Sequence, residues 1–119
     1  MPNIRAMRVE DAETVARMDA LDHDPERGYK EAKQHTLDHL EIVPQHCYVV
    51  EDDKSGIIAA MILHPRKKIF EVEDFHVKDI QTNKEALTLF KRKLMEYLES
   101  VQTEVRCCPY ATRRLMEQT

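Results

Sequence analysis

Three short runs decide the architecture of this chain: His46-Cys-Tyr-Val-Val50, Ile57-Ile-Ala-Ala-Met-Ile-Leu63 and Ile69-Phe-Glu-Val-Glu-Asp-Phe-His-Val77. The first is a β-run. Glu51-Asp-Asp-Lys-Ser-Gly56 follows it as a polar hairpin turn, with Gly56 free to take a positive φ. The second run is almost wholly apolar and reads as a central strand buried on both faces. Pro65-Arg-Lys-Lys68 makes a second turn into the third run. Strict alternation there groups Phe70, Val72, Asp74 and His76 on one face and Glu71, Glu73, Phe75 and Val77 on the other.

Outward from this meander the periodicity changes. Lys78 to Lys84 is polar and reads as a loop. A long helix is expected from about Asn83, with an apolar stripe of Leu87, Phe90, Leu94, Tyr97, Leu98 and Val101. Thr103–Cys108 is a further strand candidate, and Ala111–Gln118 a final short helix after Pro109-Tyr110. Upstream, Tyr29, Ala32, Thr36, Leu37, Leu40 and Val43 recur at steps of three and four along a helix over residues 26–43, stopped by Pro44. Asp22-His-Asp-Pro25 separates it from an earlier helix. That helix opens on Glu10-Asp11-Ala12-Glu13, where the macrodipole favours acids, and carries Ala12, Val15, Ala16 and Leu21 as its stripe. Asn3–Val9 alternates as an opening strand. The order is β-α-α-β-β-β-α-β-α, an α/β (α+β) chain with a mixed central sheet flanked by helices, in one domain over 1–119.

Composition narrows the function. Only two of the 119 residues are glycine, Gly28 and Gly56, so neither a GxGxxG fingerprint nor a GxxxxGK[ST] phosphate loop exists here. The net charge of −4 is a poor footprint for nucleic acid. No apolar run reaches membrane-spanning or signal-peptide length, and a cytoplasmic location is expected. Three cysteines without framework spacing argue against a disulfide scaffold; the vicinal Cys107 and Cys108 read as strand residues.

Four stretches, in this order, resemble the GCN5-related N-acetyltransferase (GNAT) family. Ile4–Met18 resembles its opening strand and "hydrophobic-R-x-A-x-x-E-D-A" helix, and Cys47–Ala60 its "V-A-E-x-x-G-x-I-V-G" hairpin. Phe70–Val77 resembles the strand before the acetyl-CoA loop, and Ala86–Leu98 the helix after it. The likeness implies a GNAT-like sheet with acetyl-CoA as cofactor. Phe75, His76 and Val77 would then offer backbone groups to pantetheine. Gln81-Thr-Asn-Lys-Glu-Ala86 would stand at the family's [RQ]-x-x-G-x-[GA] phosphate loop, so that Gln81, Asn83, Lys84, Glu85 and Ala86 bind the cofactor, with Lys84 in the glycine's place. The family's terminal tyrosine, acid for the departing thiolate, is replaced by Met116, and Tyr110 is the stand-in. The chain ends before the family's C-terminal strands, which leaves an open sheet edge.

Acetyl transfer to an amine needs a base, donors on the thioester carbonyl and an acid. Glu73 is the expected base, through water, with Glu71 and His76 as neighbours on the same strand. His35 and His39 have metal-ligand spacing on a helix, but sequence marks no third ligand; they read as surface histidines and no metal is assigned. Two functions follow. One is an acyl-CoA-dependent N-acyltransferase with a degenerate cofactor loop, acting on a small-molecule or protein amine. The other is an inactive GNAT-like binding or assembly module, homodimeric through the open sheet edge.

Overall fold

The computed structural model describes residues 2–22, 28–66, 69–101 and 104–107. Pro25, Cys108, Tyr110 and the expected helix over 111–118 lie outside the described residues. The chain runs β1 (Asn3–Ala6), α1 (Ala12–Asp22), α2 (Gly28–Ile42), β2 (Cys47–Asp52), β3 (Gly56–Arg66), β4 (Ile69–Val77), α3 (Lys84–Val101) and β5 (Glu104–Cys107). The strands lie side by side in chain order, β1-β2-β3-β4-β5. The first four are antiparallel, and β5 returns parallel to β4 after α3.

Two apolar layers hold the sheet. On one face α3 packs Ala86, Leu87 and Phe90 against Val50, Ile58, Met61, Leu63, Val72, Phe75 and Val77. On the other, Ala12, Val15 and Met18 of α1, with Leu40 and Val43 from α2 and its end, cover Cys47, Val49, Ile57, Ala60 and Ile62. β3 contributes to both layers, which is why its sequence is apolar without alternation. Ala32, Thr36 and Leu40 form the buried face of α2, as their spacing requires.

Two expectations are corrected. β1 stops at Ala6, and Val9 starts a 3-10 turn with its side chain 65% exposed. A carboxylate ends the strand: Asp11 accepts from the Arg8 backbone N–H at 2.8 Å and from both terminal nitrogens of Arg5 at 2.8 and 3.0 Å. Arg5 also reaches Glu51 of β2 at 3.3 Å. This network explains Arg5 and Asp11 of the opening segment. Burial pushes the Asp11 carboxyl up, but Arg5 and Arg8 outweigh it and hold it below its ordinary value.

The second correction concerns β4. Ile62 pairs with Asp74 and the next residue, Leu63, pairs with Val72, so Glu73 is an extra residue, a β-bulge. Alternation restarts after it. Phe75 and Val77 therefore join Phe70 and Val72 on the α3 face, while Asp74 and His76 turn toward α1 and α2. Strict alternation had grouped Asp74 and His76 with Phe70 and Val72.

Candidate functional site

The bulge at Glu73 marks where β4 changes neighbours. β5 pairs with Ile69, Phe70, Glu71 and Val72, ending at Val72↔Cys107. Beyond that point, β4 has no strand on this side among the described residues. On its other side, the Lys78 N–H donates to the Ile58 carbonyl at 2.8 Å. Antiparallel pairs alternate, so the N–H and C=O of His76 and Asp74 turn toward Ala60 and Ile62. Those of Phe75 and Val77 turn to the outer edge. Of Phe75, His76 and Val77, the first and last thus turn their backbone groups to this edge, and His76 turns its own toward β3.

The loop after β4 ends beside this edge. Asp79 takes φ +40°, the one left-handed backbone among the described non-glycine residues. Its short side chain suits that conformation and accepts from the Thr82 hydroxyl at 2.8 Å. The Asp79 carbonyl accepts from the N–H groups of Thr82 and Asn83 at 2.9 and 3.0 Å. Asn83 Nδ2 donates back to the Lys78 carbonyl at 2.6 Å. A turn that a glycine would otherwise make is thus made by Asp79, and Lys84 enters α3 with no left-handed backbone. Gln81, Lys84 and Glu85 are exposed, Asn83 is half-buried and Ala86 is buried against the core. The Ala86 N–H bonds the Asn83 carbonyl at 3.1 Å, while the Lys84 and Glu85 N–H groups belong to the first turn, which has no intrahelical acceptors. Glu73 is half-buried at the bulge. Tyr110 lies outside the described residues.

No protein-family model and no curated protein matches this sequence. Solved structures do match its fold. An acetyltransferase of the GNAT family from Bacillus anthracis superposes with a TM-score of 0.63 at 15% identity, over 98% of this chain and 77% of that one. The fold is that of the GCN5-related N-acetyltransferases. Rv2747 from Mycobacterium tuberculosis, solved in complex with CoA, gives a TM-score of 0.65 at 14% identity over 94% of this chain and 69% of its own. A Pyrococcus horikoshii protein gives 0.66 at 20% identity; the match covers 81% of this chain and spans 34% of that larger one.

The opposite face of this GNAT sheet carries polar groups that the sequence left unassembled. Asp74 and His76 of β4 meet Asp19 of α1, and the three are 2%, 0% and 1% exposed at the side chain. His76 Nε2 lies 3.2 Å from Asp19 Oδ1 and 3.8 Å from Asp74 Oδ1. His35 of α2 approaches from outside, its Nε2 2.9 Å from Asp74 Oδ2. His39 does not join it: its Nδ1 is 2.8 Å from the His35 carbonyl oxygen. Burial, with Asp74 second, pushes the neighbouring Cys47 thiol up to about 12, so it stays protonated and unreactive. Asp19 was legible in principle. It follows Val15 by four and Ala16 by three, on the apolar stripe of its helix.

A second polar group lies at the far end of α3, about 20 Å along the helix axis from Lys84 by the rise per residue. Tyr48 donates to the Gln45 carbonyl at 3.0 Å, Tyr97 meets Tyr48 at 2.7 Å, and His46 Nδ1 meets Tyr97 at 2.5 Å. Protons run His46 to Tyr97 to Tyr48 to Gln45 if each group donates once. Burial raises the Tyr97 phenol and lowers the His46 imidazole. A shallow recess of about 220 Å³ is lined by Tyr48, Lys93, Glu96 and Tyr97. Tyr97 packs on Phe70, at the start of β4, away from Phe75 and Val77. It is too remote to serve chemistry at the outer edge.

Proposed function

We propose that this protein is an acyl-CoA-dependent N-acyltransferase that acetylates the amine of a small molecule or a protein. One observation carries the reading. The backbone groups of Phe75 and Val77 face an edge with no strand among the described residues, directly before the first turn of α3. An extended pantetheine amide chain pairs with such an edge as a strand would. The pyrophosphate then meets the N–H groups of Lys84 and Glu85 and the positive end of the α3 dipole, with Lys84 adding charge and Gln81 and Asn83 flanking. Ala86 lets the helix sit close to the sheet. Acetyl-CoA supplies an activated thioester, and the chain's own residues orient it and move protons.

Glu73 is the base in this reading, taking the amine proton through water, and Tyr110 protonates the thiolate. The bulge places Glu73 at the point where β4 and β5 part. Glu73→Gln should lower kcat by about 10²–10⁴ while leaving acetyl-CoA affinity near wild type.

Calorimetric titration with acetyl-CoA tests the proposal: saturable one-to-one binding is expected, and no heat at millimolar cofactor would overturn it. The second reading, an inactive binding or assembly module, is motivated by Lys84 in the glycine's place. Binding of acetyl-CoA without acetylation across a panel of amines would favour it.

A further inference from the structure

We propose that Asp19, Asp74 and His76 form a binding site for a divalent first-row cation, zinc being the best match, on the sheet face opposite α3. The donor atoms of these three side chains all lie within 4.8 Å of one another. Two measured separations are 3.2 and 3.8 Å. Ligands at zinc's usual distance of about 2.0–2.1 Å stand about 3.3 Å apart in a tetrahedral site. The 3.2 and 3.8 Å separations lie within about half an ångström of that spacing, and the third, at most 4.8 Å, closes with a side-chain adjustment of at most about 1.5 Å.

Charge favours the same reading. Two carboxylates buried to 1–2% exposure in one cavity repel each other strongly, and burial removes the water that would screen them. One imidazole nitrogen, His76 Nε2, faces both carboxylates. A dication at the centre of the triangle neutralises both carboxylates and bonds the neutral imidazole at once. Asp, Asp and His is an oxygen-nitrogen donor set suited to zinc and manganese.

The fold supplies the arrangement. The bulge at Glu73 turns Asp74 and His76 to one face two residues apart, and α1 lays Asp19 over them. His35 holds the second oxygen of Asp74 from outside the triangle, as partners of metal-bound carboxylates do. Three protein ligands leave one tetrahedral position for water. The ion would clamp α1 to β4, and the proposal does not depend on acyl transfer.

The full chain, produced without a metal-affinity tag and purified without chelators, is assayed for metal by mass spectrometry and then titrated with Zn²⁺, Mn²⁺ and Co²⁺. About one equivalent per chain is expected, with a low-coordinate Co²⁺ visible spectrum and a melting temperature that falls on adding EDTA and recovers on adding Zn²⁺. Asp19→Asn and His76→Gln should abolish the stoichiometric site. Should either fail to fold, His35→Gln is the check: it should keep one equivalent but bind about 10–100-fold more weakly. A wild-type chain that takes up no ion and melts at the same temperature with and without EDTA would overturn the proposal in favour of an imidazolium-carboxylate cluster. So would metal uptake that Asp19→Asn and His76→Gln, still folded, leave unchanged.

Discussion

The two faces of the sheet are built from the same strands and serve different ends. Beneath α3, Val72, Phe75, Val77 and Phe90 make a layer that buries no charge among the described residues, and its demand is shape. Beneath α1 and α2, the same strand β4 contributes Asp74 and His76, and the layer closes around these two and Asp19, all ionisable and buried. One inserted residue, Glu73, produces the difference by restarting the alternation. A strand can thus line an apolar core on one face and bury ionisable side chains on the other within nine residues.

The largest expected effect tests the apolar face. Phe90→Ala removes a fully buried ring stacked edge-on against Phe75, and should cost about 3–5 kcal/mol in denaturant unfolding. A cost under about 1 kcal/mol would mean that this layer repacks freely. Asp19→Ala comes next. It strips one partner from a buried charged group and should cost about 3 kcal/mol. Combining Asp19→Leu with His76→Phe should cost less than the sum of the singles, because each substitution removes the partner that the other deprives of its contact. Additive behaviour would show that the two residues act independently. On the α3 face, by contrast, double substitutions at distant sites should add.

A smaller effect is expected at the rim, where Arg5 grips Asp11. Arg5→Met should cost about 2 kcal/mol at neutral pH. The folded Asp11 carboxyl lies below its ordinary value of 3.8, so its contribution is present above that value and lost as pH falls through the lower folded one. The gap between wild type and Arg5→Met should therefore narrow below about pH 4, measured by urea midpoints across pH. A gap that stays constant to pH 2 would separate the Arg5 effect from Asp11 ionisation. Least of all, Val9→Ser should change stability by under about 0.5 kcal/mol, since the side chain already meets water.

The meander, the two long helices and the order of elements from β1 to β5 were legible because each has a clean period. Ile57–Leu63 has no polar position to spare, and Leu87 and Phe90 repeat at helical steps. The bulge was not legible. Nothing in Ile69–Val77 reveals that Glu73 faces no partner residue, and one unpaired residue reverses the face of everything after it. Val9 misled for a simpler reason: an apolar residue after an alternating run reads as strand, whereas the Asp11 carboxylate captures the Arg8 N–H and ends it. Lys84 stands in the place of the family's loop glycine, and Asp79 supplies a left-handed residue five positions before it. Asp19, Asp74 and His76 come together from helix and strand across more than fifty residues, a separation that no local pattern encodes.

The proposed acyl-CoA recognition rests on the outer edge of β4, and amide chemical shifts read that edge directly. Titrating acetyl-CoA into isotopically labelled protein should move the amides of Phe75, Val77, Lys84 and Glu85 together, with one dissociation constant, while the inward-facing amides of Asp74 and His76 move far less. Shifts confined to Tyr48 and Tyr97 at the other end of α3, or none at millimolar acetyl-CoA, would contradict it.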